Sequence, residues 1–201
     1  MGAGSEAQNR TLNDWLVSID MGKLRLPSFQ RGVAWEPKRV RSMLETITHD
    51  LPLGVALVLN VGDKEQFVSR ALHTAPDTSE AVTEHLLDGQ QRLTALYRAL
   101  RDNDDKYTYF LHVPELDDEP RNDDEEESVR VVKRWRDKND ARFPIWADSP
   151  RDCLYRGLIP VRLLDPTRDE TAEWVEHATA YLEPSEDVAD IVEYKRLLVE
   201  A

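Results

Sequence analysis

The apolar positions of this chain fall into short segments with distinct spacings. In "TLNDWLVSIDMG", Leu12, Trp15, Leu16 and Ile19 recur at the three- and four-residue intervals of a helix face. Thr11 stands where an N-cap is needed, and Gly22 where a helix stops. "KLRLP" reads as a short strand ended by Pro27. "EPKRVRSMLETITHD" is a second helix, with Pro37 in its first turn and Val40, Met43, Leu44 and Ile47 along one side. "PLG" then turns the chain into "VALVLNV", Val55 to Val61, an apolar run of strand length. A polar loop from His73 to Glu84 leads into the short strand "HLL". The helix "QQRLTALYRALRD" follows, with Leu93, Leu96, Tyr97 and Leu100 facing inward and Asp88 placed to cap it.

Beyond that helix, "YTYFLHV" is a strand, residues 114–127 are an acidic loop without a packing pattern, and "VRVVKRW" is another strand. An irregular stretch runs to Asp165. Two helices are expected to close the chain, one from Thr171 to Leu182 and one after Ser185 with Val188, Ile191, Val192, Leu197 and Leu198 as its apolar set. The last helix looks unfinished at Ala201, as in a piece of a longer protein. Strands alternating with helices, followed by a helical tail, predict an α+β fold with a mixed sheet. Residues 1–164 form the expected core and residues 165–201 a helical extension.

At 201 residues the chain is long enough for one domain with a real core. No apolar run approaches membrane-spanning length, and the N-terminus lacks a signal pattern, so a cytoplasmic location without membrane contact is expected. One cysteine, Cys153, rules out an internal disulfide. The net charge of −13 argues against non-specific coating of nucleic acid. The charge is uneven, however. Met21 to Arg101 holds eleven basic and nine acidic residues, whereas Asp102 to Glu127 holds two and twelve. The centre is mildly basic between acidic flanks.

That centre carries the chemistry. "LLDGQQRLTALY" sets Asp88, Gly89, Gln90, Gln91 and Arg92 between a strand and a helix. A helix start opened by glycine offers free amides and a positive dipole end to an anion. Arg92 can add a bidentate phosphate contact. Asp88 suits a divalent cation, a sugar hydroxyl or a positioned water, and Gln90 and Gln91 suit a water or a base edge. A capped turn with two exposed amides would also account for these five residues. A second stretch, "LPSFQRGVAW", repeats the pattern, with Gln30 and Arg31 between the anchors Phe29 and Trp35. Two such arms facing one pocket would surround a triphosphate with positive charge.

Together "LPSFQRGVAW", "LETITHDLPLG" and "LLDGQQRLTALY" resemble the three signature blocks of the N-terminal domain family of GmrSD-type restriction endonucleases. The same domain occurs in SspE-like effectors of phosphorothioation-based phage defence, and the family is related to the ParB/sulfiredoxin-like fold. The match in order and spacing runs from Leu24 to Leu100 and extends more loosely to about Leu164. The resemblance implies binding and hydrolysis of a nucleoside triphosphate (GTP, ATP or CTP) with magnesium. It also implies a C-terminal HNH-type nuclease domain and action on modified or foreign DNA. On that basis Asp88, Gly89, Gln90, Gln91 and Arg92 form the nucleotide site and Gln30 and Arg31 line it. Asp88 would hold the metal ion or position the attacking water, which Gln90 or Gln91 would orient. Val33-Ala34-Trp35 departs from the family pattern, because a larger residue is common before the tryptophan.

The chain holds no Walker loop, His-Asn-His arrangement or cysteine pair, so a nuclease activity would lie outside these residues. Lys38, Arg39 and Arg41 lie on the predicted exposed side of their helix, as DNA phosphate contacts or as a solvated face. The five histidines have no ligand spacing, Cys153 has no base within sequence reach, and the five tryptophans are too scattered to suggest a stacking platform. A second copy of the chain is a further candidate partner. The rival reading is a non-catalytic sensor of DNA modification whose arginines grip backbone phosphates. Asp88 discriminates between the two, because a lone carboxylate is awkward against bare DNA.

Overall fold

The computed structural model describes residues 7–62, 64–65, 67–78, 81–117 and 128–180, without the side chains of 114–117. In chain order the helices and strands are α1 (Leu12–Asp20), β1 (Leu24–Pro27), α2 (Pro37–Thr48), β2 (Leu57–Asn60), β3 (Ser69–Arg70), β4 (Glu84–Asp88), α3 (Gln90–Arg101), β5 (Tyr107–Asp117), β6 (Val129–Lys133), β7 (Trp135–Arg136), β8 (Arg142–Phe143), α4 (Pro150–Leu154), β9 (Arg156–Pro160) and α5 (Thr171–Thr179). The fold is α+β. The chain divides into two compact units, the first comprising residues up to Ala34 and Gly54–Thr94, the second Trp35–Leu53 and the residues from Ala95 onward. Helix α3 begins in the first and continues into the second.

The first unit is built on a four-stranded mixed sheet in the order β2-β4-β1-β3. Only β1 and β4 are parallel, with Leu24 opposite Glu84 and Arg25 opposite His85. Antiparallel β3 and β2 flank them. Helix α1 starts with the capping box its sequence announces. The Thr11 hydroxyl accepts from the Asp14 amide at 3.2 Å and the Asp14 carboxylate accepts from the Thr11 amide at 3.1 Å. Such a cap contributes about 1 kcal/mol. The helix stops at Gly22, whose φ of +69° favours glycine. Leu16 and Ile19 of α1 are buried, as are Leu24 and Leu26 of β1, Leu72, and Leu86 of β4. Each such side chain contributes roughly 1.5–3 kcal/mol of burial.

The second unit holds a three-stranded antiparallel sheet, β6-β5-β9, and the two-stranded hairpin β7-β8. Its core gathers Phe110, Ala147, Cys153, Leu154, Leu158, Ile159, Trp174, Val175 and Ala178. Asp165, fully buried, is ion-paired with Arg101. Helix α5 therefore belongs to this core rather than hanging from it.

Several expectations change. The apolar run Val55–Val61 pairs only over Leu57–Asn60, at a sheet edge. Val55 and Leu57 remain exposed, and the pairing with β4 shifts register between Leu57 and Val58. The predicted strand "VRVVKRW" breaks at Arg134, whose side chain is buried and ion-paired with Asp148, so Trp135 starts a separate hairpin. The region read as an acidic loop starts later, because β5 extends through Asp117. Helix α5 ends at Thr179, and the helix expected after Ser185 and the acidic stretch 118–127 lie outside the described residues.

Candidate nucleotide site

Because β1 and β4 run parallel, their C-terminal ends open on the same edge of the sheet. Ligands of open sheets favour this edge. The chain leaves β1 into the loop carrying Gln30 and Arg31, and leaves β4 through Asp88 and Gly89 into α3. The two sequence stretches are therefore neighbours although about sixty residues separate them.

Three glutamine side chains knit them together. Gln30 Nε2 donates to the carbonyls of Leu86 at 2.7 Å and Leu87 at 3.1 Å, the last rungs of β4. Gln90, buried, donates through Nε2 to the carbonyl of Arg31 at 2.7 Å. Gln91 uses both ends of its amide. Its Oε1 accepts from the Ala34 amide at 2.8 Å and its Nε2 donates to the Gly32 carbonyl at 2.9 Å. Arg70 of β3 adds a contact to the Arg31 carbonyl at 3.2 Å. The amides expected to face a ligand instead hold the loop from Gln30 to Ala34 against the start of α3. The main chain of that loop makes these contacts, and the Arg31 side chain is left exposed to solvent.

Asp88 does not cap α3. It is the last residue of β4, and the Leu93 amide donates to the Gly89 carbonyl at 2.9 Å, which puts Gly89 at the cap position. Gly89 has a φ of +92°, and an added Cβ would lie 3.3 Å from Ala56 Cβ. Only glycine makes this turn without strain. The Asp88 carboxylate, 75% exposed, thus projects beside a helix start whose first-turn amides lie outside the helical ladder.

Arg92 lies one turn into α3. Its Nη2 is 3.6 Å from Asp88 Oδ2 and donates to the Val55 carbonyl at 2.7 Å. That carbonyl precedes the paired part of β2, so a guanidinium takes the place of a strand partner. Gly54 makes room for it. Its φ is +94°, and a Cβ there would collide with Arg92 Nη1. Gly54 and Val55 are parts of the site that the sequence reading missed. "PLG" marked a turn, but nothing local marked a partner nearly forty residues away.

Behind the site, the buried His85 of β4 meets Glu65 with Nε2 2.9 Å from Oε1. Hydrogen bonds from Ser69 and then His85 hold the Glu65 carboxyl below its usual range. The cations proposed for DNA lie on α2 in the second unit. Lys38 and Arg39 are exposed, and the Arg39 guanidinium sits 4.7 Å from the Trp35 ring centroid. Arg41 does not share that exposure. It is half-buried, with Nε 3.6 Å from Glu45 Oε1.

Among the described residues no group of three or more His, Cys, Asp or Glu could hold a metal ion. Asp88 is one exposed carboxylate, which fits a magnesium ion carried mainly by phosphates and water rather than by a protein cage. Among the described residues no helix is long and apolar enough to cross a membrane.

The family model of the GmrSD restriction endonuclease, N-terminal domain, matches residues 12–172. Over 120 residues, 53% of this chain, the sequence is 25% identical to an uncharacterized protein of Methanocaldococcus jannaschii. That stretch covers 21% of the relative, so the chain spans about a fifth of the length of the curated protein it matches. No solved structure matches the chain. With the family model covering well over half of its residues, including every residue of the site just described, the chain belongs to the GmrSD restriction endonuclease N-terminal domain family.

Proposed function

We propose that this chain is the nucleoside-triphosphate-binding and -hydrolysing part of a DNA restriction or phage-defence effector whose nuclease lies outside these residues. One observation carries the reading. An exposed carboxylate, a positive-φ glycine and an arginine 3.6 Å from that carboxylate stand together at a helix start, beside the C-terminal ends of two parallel strands.

The geometry supports the following roles. The first-turn amides of α3 and the guanidiniums of Arg92 and Arg31 receive the phosphates. Asp88 positions the attacking water or holds a nucleotide-borne magnesium ion, which supplies charge neutralisation when bound. Gln30, Gln90 and Gln91 act as positioning residues. Their amides face the backbone, so they fix the loop and the helix start rather than touch the reacting atoms. Lys38 and Arg39 are the exposed cations offered to DNA phosphates.

The test is turnover of GTP, ATP and CTP with magnesium by wild type, Asp88→Ala and Arg92→Ala. Loss of about a hundredfold or more in both variants is the expected result for groups at the reacting phosphate. Unchanged rates in both would remove the assignment. Binding of modified duplex without any nucleotide response would favour the non-catalytic sensor instead.

A further inference from the structure

One of the five tryptophans, Trp135, belongs to an exposed aromatic pair. Trp135 and Phe143 sit directly opposite each other in the hairpin β7-β8. Their rings stack with centroids 5.9 Å apart and planes only 14° from parallel. Trp135 is 52% exposed, so the outer face of the pair is open to solvent.

The hairpin is also a basic segment of an acidic chain. Residues 133–142, "KRWRDKNDAR", carry Lys133, Arg134, Arg136, Lys138 and Arg142 against Asp137 and Asp140, in a protein of net charge −13. Strand alternation separates the two properties. Trp135 and Phe143 share one face, while Arg136 and Arg142 share the other. On that second face Arg142 is bound at 2.7 Å to Asp102 and at 2.9 Å to Thr108, which anchors the hairpin. Lys133 and Lys138 remain exposed at the stem and tip.

The platform is preformed. Asp137 Oδ1 accepts from the amides of Asn139 at 2.8 Å and Ala141 at 2.9 Å, and Asp140 takes the left-handed conformation the turn needs, with φ +65°. Arg134, fully buried, is ion-paired with Asp148 at the base. A rigid aromatic face with basic flanks is what an unstacked base and its phosphates require.

We infer that the Trp135–Phe143 hairpin of the second unit is a single-strand nucleic-acid contact, in which an unpaired base stacks on Trp135 and the neighbouring phosphates meet Lys133 and Lys138. The contact stands independently of the nucleotide reading, because it uses no residue of that site. Arg134, Arg136 and Arg142 are paired with Asp148, Asp140 and Asp102, so the charge offered beside the rings is that of the exposed Lys133 and Lys138, which favours a polyanion over an apolar protein partner.

The test is fluorescence anisotropy of the full chain with a labelled oligonucleotide of mixed sequence, single-stranded and duplex, over a salt series. The expected results are tighter binding to the single strand and a loss of about tenfold or more for Trp135→Ala. Trp135→Phe, which keeps a stacking ring, should retain binding within roughly threefold. Lys133→Glu combined with Lys138→Glu should lower the salt slope by about 1.4. Circular dichroism melting confirms that each variant is folded. Equal binding by folded Trp135→Ala, duplex binding as tight as single-strand binding, or no binding by the wild type would each overturn the proposal. The last result would return the patch to a protein contact.

Discussion

The side-chain amide of Gln90 donates to the main-chain carbonyl of Arg31 at 2.7 Å, so the two Gln-Arg stretches meet amide to backbone rather than guanidinium to guanidinium. Gln91 repeats the arrangement one residue later, at both Gly32 and Ala34. Local repetition in the sequence has become a physical coupling between loop and helix.

Removing that coupling should loosen the loop before it unfolds the molecule. Gln91→Ala deprives the Ala34 amide of its acceptor, so hydrogen exchange at Ala34 should accelerate while exchange in α1 stays unchanged. Gln90→Ala, at a buried position, should cost about 1–3 kcal/mol in chemical denaturation. Native exchange at Ala34 in the Gln91 variant would show that the clamp is not structural.

Gly54→Ala should be damaging chiefly through its backbone conformation. A φ of +94° strains any L side chain, at a cost of about 1–3 kcal/mol, and the added carbon would displace the Arg92 guanidinium end. Gly62→Ala is the control, because nothing lies within 4 Å of its added carbon, and such a change stays within roughly 0.5 kcal/mol. Thermal melts of the two variants separate the predictions.

In the second unit, Arg101→Ala removes the main ionic partner of the buried Asp165 carboxylate, which keeps Arg168 Nε at 3.7 Å and hydrogen bonds from the Thr167 amide and hydroxyl. With those partners left in place, the loss is about 1–3 kcal/mol rather than that of an uncompensated buried charge. Urea denaturation should show that loss, and Asp165→Asn added to Arg101→Ala should restore part of it. A loss under about 1 kcal/mol in the single variant would mean that Arg168 and Thr167 hold the carboxylate without Arg101.

Burial, with repulsion from Asp148 second, pushes the Cys153 thiol up to about 12. The thiol donates to the Trp146 carbonyl at 3.4 Å. A thiol-specific reagent at pH 8 should label Cys153 only after denaturation. The stability sign follows. The unfolded thiol titrates near about 8.5, so its contribution is complete below that pH and is lost as pH rises toward 12. Rapid labelling of the native protein would contradict this burial.

Local patterns were readable from the sequence, and distant partners were not. Thr11, Asp14 and Gly22 announced α1 because capping is written within four residues of a helix end. Pro37 and three of the four apolar positions of α2, Val40, Met43 and Leu44, were equally explicit, whereas Ile47 at the helix end is exposed. The Asp88–Arg92 block was found because it held more polar groups than a turn needs. Its internal arrangement was not, because the acceptors for Gln30, Gln90 and Gln91 are backbone carbonyls, which carry no sequence signature. Arg134 shows the same limit. It continued a strand pattern on paper, but its ion pair with Asp148 pulls it inward and ends the strand. The Trp135–Phe143 stack depends on a hairpin whose two strands are only two residues long, below the length at which alternation can be seen.

The parallel pairing of β1 with β4 sets an order of events. Leu24 and Glu84 become neighbours only after the intervening chain has looped back, an entropic toll that local helices such as α1 never meet. Neither Gln-Arg stretch has its partner until that long-range step is complete. A nascent or partly unfolded chain would therefore carry both stretches without the contacts that join them, so that the candidate site comes into being only together with the folded sheet.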